Sequence, residues 1–140
     1  MKYISCLLLF LSSCTYRGHM MFYDFKYSKY EVENEINRVI NENQNYVVPV
    51  KWKDCNKGDY YERIYVYMKS NPEELYQIGF TEDSTVWNNS STSRLGLISQ
   101  FDGDTWRYND ELSKKDVDRI TKRFEHEILS KIKYEYYKTN

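Results

Sequence analysis

Apolar and polar positions alternate in two distinct periods along the chain, and their order predicts the architecture. Val32, Ile36, Val39 and Ile40 recur at helical spacing, with Glu33, Glu35, Asn37, Arg38 and Asn41 turned away. Ser28-Lys29-Tyr30-Glu31 just before them has the form of a capping box, and Asn43-Gln44-Asn45 ends the stripe. Tyr46-Val47-Val48-Pro49-Val50-Lys51-Trp52 reads as a strand at an edge or bulge, because Pro49 has no N–H to give to a ladder. Asp54 to Asp59 is dense in turn formers. The period then becomes two: Ile64, Val66 and Met68 share one face of a strand, with Tyr61, Arg63, Tyr65 and Tyr67 on the other. After a turn at Ser70-Asn71-Pro72-Glu73, Tyr76, Ile78 and Phe80 alternate with Leu75, Gln77 and Gly79. Glu82 to Ser93 reads as a long loop, polar except for Val86 and Trp87. Leu95 to Phe101 and Thr105 to Tyr108 flank Asp102-Gly103, a strong hairpin signal.

A second helix opens at Ser113-Lys114-Lys115-Asp116, and Leu112 is placed to staple onto Val117. Its stripe of Val117, Ile120, Phe124, Ile128 and Ile132 predicts a helix reaching to about Tyr136. Helix, about five strands, helix is the order of an α+β domain. The expected form is an antiparallel sheet with the N-terminal and C-terminal helices on one of its faces.

Ahead of this domain, Lys2 precedes the apolar run Ile4 to Phe10, which is about half the length a bilayer-spanning helix requires. Leu11-Ser12-Ser13-Cys14 follows directly. These fourteen residues resemble the signal peptide and lipobox of bacterial lipoproteins. The resemblance implies removal of residues 1–13, a diacylglycerol on the Cys14 thiol and an acylated new amino terminus, a firm membrane anchor once two or more chains are present. Residues 14–27 then form a tether and 28–140 a single folded domain. No acidic run follows Cys14, so the periplasmic side of the envelope is the expected location.

Charge is balanced, with 20 basic and 21 acidic side chains in 140 residues. No basic cluster marks a nucleic-acid interface, so nucleic acid is excluded as the expected partner. Cys6 leaves with the signal and Cys14 carries lipid, which leaves Cys55 alone and without a disulfide partner.

Catalytic chemistry has few candidates. Cys55 is a nucleophile if Lys53 and Lys57 lower its pKa and a base such as His126 approaches. Glu73, Glu74, Glu82 and Asp83 bracket a strand and offer carboxylates for an envelope hydrolase. No cofactor motif or metal-ligand spacing occurs, and Asp102-Gly103-Asp104 lacks the rest of a calcium loop.

The 15 tyrosines, 3 tryptophans and 6 phenylalanines change the picture most. Tyr61, Arg63, Tyr65 and Tyr67, joined by Trp87, Trp106, Tyr76 and Tyr108, make a candidate surface of broad rings with polar tips. Such residues dominate protein-binding hot spots. A protein partner is the leading expectation, whether an envelope component or a toxin that an immunity-like protein neutralises. A glycan stacked on the rings is the alternative.

Overall fold

The computed structural model describes residues 18–55, 62–81 and 88–139. Its strands are β1 (Met21–Phe25), β2 (Ile64–Met68), β3 (Glu74–Phe80), β4 (Ser93–Phe101), β5 (Trp106–Arg107) and β6 (Tyr136–Thr139). All pairings are antiparallel, in the order β2-β3-β4-β1-β6, with β5 added to the far end of β4. The α-helices described in full beside the sheet are α1 (Lys29–Glu42) and α2 (Lys114–Glu127). The fold is the α+β class that the periodicities predict.

Both helices begin where their caps dictate. Ser28 accepts from the Glu31 amide while the Glu31 carboxylate accepts from the Ser28 amide, and Ser113 accepts from the Asp116 amide. A cap contributes about 1 kcal/mol, whereas each large apolar side chain taken from water contributes about 2 kcal/mol. Docking therefore decides that the helices exist, and the caps decide where they start. Val32, Ile36 and Val39 of α1 and Ile120 and Phe124 of α2 join one core with Tyr23, Phe25, Val66, Met68, Tyr76, Ile78, Leu95 and Leu97 from the sheet.

Three segments depart from the expectations. The proposed tether is part of the fold from residue 21, because Tyr23 and Phe25 alternate into the core while Met21–Phe25 pairs with β4 on one side and β6 on the other. Residues 46–52 do not form a strand. Two 3-10 turns, Gln44–Tyr46 and Val50–Trp52, take their place, and Pro49 stands at the N-cap of the second, where its missing N–H costs nothing. The closing helix stops at Glu127. A 3-10 turn (Leu129–Lys131) follows, and then β6 takes the open edge of β1. Tyr136, Tyr137 and Thr139 are strand formers, and Tyr136 packs its ring on Tyr23 at 5.5 Å and Phe25 at 6.0 Å.

Candidate functional site

The helices leave the other face of the sheet to a different set of side chains. Register aligns Tyr67, Leu75, Phe101 and Trp106 in one row across β2, β3, β4 and β5. Tyr65, Gln77 and Ser99 form the next row, joined by hydrogen bonds from Gln77 Nε2 to Tyr65 Oη (3.2 Å) and from Ser99 Oγ to Gln77 Oε1 (2.7 Å). A register shift just beyond the second row, between Gln77 and Ile78, leaves Ile98 unpaired in the ladder and puts it against this face as well.

Trp52 lies across the first row. Its ring meets Tyr67 at 5.5 Å and Phe101 at 5.4 Å, both edge-on, the arrangement aromatic quadrupoles favour. Trp106 packs on Phe101 at 5.3 Å and on Tyr65 at 5.9 Å, and its indole N–H donates to the Cys55 carbonyl at 3.0 Å. The 3-10 segment is thus fastened to the β4–β5 hairpin. That hairpin is built as its Asp-Gly pair predicts: Gly103 has φ +100°, and Asp102 Oδ1 accepts from the amides of Asp104 and Thr105, each at 3.0 Å.

The result differs from a bare tyrosine-covered sheet. Tyr67 is only 6% exposed, covered by Trp52, and its hydroxyl is engaged by Glu73. Tyr65, Trp52, Phe101 and Trp106 are half-buried, and Leu75 beneath them is fully buried. Arg63 lies along the same face over Gly79, where a methyl group would stand 2.7 Å from its guanidinium. His19 covers the adjoining Gly96 and meets Phe22 at 4.7 Å. Burial, reinforced by the Arg63 charge, holds the His19 imidazole below its ordinary pKa. Tyr76 belongs to the helix-covered core, not to this surface. Tyr61, Trp87 and Cys14 lie outside the described residues.

Beside these rings stands an apolar protrusion. Val50 is 89% exposed and Val47 is 39% exposed, both on the segment that carries Trp52. Lys51, between Val50 and Trp52 in the chain, pairs with Glu73 at 2.6 Å and sits over the Trp52 ring at 4.8 Å. Neither Trp52 nor the two valines stood out in the sequence, because Val-Val-Pro-Val-Lys-Trp has the composition of a strand and its exposure depends on the two 3-10 turns.

The catalytic candidates do not assemble. Burial raises the Cys55 thiol pKa and Asp54 adds to the effect, so the thiolate is disfavoured. No hydrogen bond joins Cys55 to His126, which is exposed at the end of α2 beside Glu127. Glu74 is 2% exposed and already committed. Arg119 reaches it at 2.6 Å, Arg123 at 2.7 Å and the Tyr76 hydroxyl at 2.8 Å. Glu73 is held by Lys51, and Glu82 and Asp83 lie outside the described residues. Asp102 spends its oxygens on its own turn and on Arg107. Among the described residues no group of three or more His, Cys, Asp or Glu side chains is placed to hold a metal ion.

Comparison of the chain with protein-family models, with curated proteins and with solved structures finds no match to any of them.

Proposed function

We propose that this chain is a lipid-anchored, periplasm-facing binding module that captures a protein partner on the open face of its sheet. The observation that carries the reading is the apolar protrusion of Val47 and Val50 beside half-buried Trp52, Tyr65 and Trp106. Exposed aliphatic side chains next to rings with polar tips are the composition of a hot spot, where rigid anchors bury large area at small entropic cost. Arg63 at one margin and the Lys51–Glu73 pair at another provide a polar rim. The anchor rests on Leu11-Ser12-Ser13-Cys14. A hydrolase based on Cys55 is disfavoured by its raised pKa.

Affinity capture from the native host after mild membrane cross-linking tests the reading. A single stoichiometric protein is expected with the wild-type chain, and Val50→Asp should cut its recovery at least about tenfold. Val50 is so exposed that this change leaves folding intact. Tyr65→Ala combined with Trp106→Ala should act in the same direction. Undiminished capture by both folded variants would falsify the proposed face, and recovery of glycan fragments alone would transfer it to the glycan reading. Cys14→Ala should leave an uncleaved, unlipidated precursor; normal processing of that variant refutes the anchor.

A further inference from the structure

A second surface lies where β1 begins. Met20 and Met21, at the entry to the sheet, and Val117 and Thr121 of α2 line a groove of about 660 Å³, with Lys114, Lys115 and Asp118 also bordering it. Thr121 is 1% exposed, and its hydroxyl is a buried polar group with no hydrogen-bond partner. A buried hydroxyl left unsatisfied keeps the cost of its lost hydration, so the groove holds an unmet demand for a polar group.

Its charge is equally specific. Asp118 is neutralised by Lys122 at 2.7 Å, whereas Lys114 and Lys115 are exposed and make no ion pair among the described residues. Both stand in the first turn of α2, where the helix dipole favours acids and disfavours cations. Two unpaired lysines there reinforce the positive end of the helix and fit an anionic ligand. The remaining lining, Met20, Met21 and Val117, is apolar.

Position identifies the ligand. Five residues lie between Cys14 and Met20, a reach of at most about 20 Å. An acylated Cys14 would therefore keep this groove within about 20 Å of the bilayer surface, near enough to meet it. We infer that the groove binds the headgroup of an anionic, hydroxyl-bearing phospholipid such as phosphatidylglycerol: the phosphate lies between Lys114 and Lys115, a headgroup hydroxyl meets Thr121, and the methionines enter the apolar margin. The inference rests on the anchor proposed above. Binding here fixes the domain's orientation on the membrane.

The test uses the lipidated protein reconstituted in vesicles of phosphatidylcholine alone, or with added phosphatidylglycerol or phosphatidylethanol, an equally charged phosphodiester without a headgroup hydroxyl. The acyl mass on Cys14 is checked first. Reaction of lysines with an acetylating reagent is then followed by mass spectrometry, with Lys53 as the internal reference. Phosphatidylglycerol should slow labelling of Lys114 and Lys115 about fivefold each relative to phosphatidylcholine, and more than phosphatidylethanol does. Thr121→Val should abolish the difference between the two anionic lipids. A Cys14 without acyl mass overturns the anchor and the inference together. An acylated protein whose Lys114 and Lys115 react equally in all three vesicles overturns the inference alone. Equal protection by both anionic lipids, unchanged in Thr121→Val, refutes the headgroup assignment and leaves only a general attraction of charge.

Discussion

The two faces of the sheet are closed in different ways. Behind β1 to β4, α1 and α2 bury a continuous core whose central members, among them Tyr23, Ile36, Phe124 and Leu97, have no contact with water. Even the charge there is enclosed, with Glu74 held between two arginines of α2. The opposite face is closed by single side chains: Trp52 over Tyr67 and Phe101, Arg63 over Gly79, His19 over Gly96. One side is packed by whole helices and the other by residues that each retain an exposed part. A surface of the second kind keeps rings in fixed positions and still offers them to a partner, so the binding reading belongs there.

Paired truncations measure this difference directly. Phe124→Ala should cost about 4 kcal/mol in urea unfolding, the range for a large, fully buried side chain. Trp52→Ala should cost only about 2 kcal/mol, because part of its surface already meets water. Equal losses would mean that the open face is as much a core as the helix-covered one. Glu74→Gln comes between them at about 3 kcal/mol, since it leaves two guanidiniums facing a neutral amide inside the α2–β3 contact. A urea midpoint unchanged by Glu74→Gln would show that water screens the cluster.

The smallest effect is a pH dependence confined to the open face. His19 is held neutral by burial and Arg63, so its folded pKa lies below the ordinary 6.5. Its contribution is intact above that unfolded value and is lost as pH falls toward the lowered one. The thermal midpoint should therefore decline as pH falls below about 6.5, and His19→Gln should flatten that limb. An identical decline in the variant would assign it to other groups.

Legibility in the sequence follows the range of the interactions involved. The Ser28–Glu31 box, the Ser113 cap and the Asp102-Gly103 hairpin are made by residues a few positions apart, and each appears as its pattern predicts. The alternation in β2 and β3 also survives, because each strand separates two closed faces. β1 and β6 were hidden for the opposite reason. Each is a short run whose pairing partner lies far along the chain, Asp24 meeting Arg94 from 70 residues away and Thr139 from 115. Tyr23 and Phe25 flanking Asp24 gave a faint period of two, but Met20-Met21-Phe22 blurred it. At the site, Tyr65, Tyr67 and Trp106 were foreseen together; the burial of Tyr67 was not, since it depends on Trp52 arriving from a segment with strand composition. The orphaned hydroxyl of Thr121 has no local signature at all.

The central place of β1 has a consequence for how the molecule is made. Among the described strands β1 comes first in the chain, yet its neighbours in the sheet, β4 and β6, reach it from about 70 and 115 residues further on. During synthesis β1 therefore emerges well before either partner, whereas the β2–β3 hairpin and the helices are local enough to form as they appear. Both edges of β1 can close only after β6 has followed it out of the ribosome, so the middle of this sheet is assembled late.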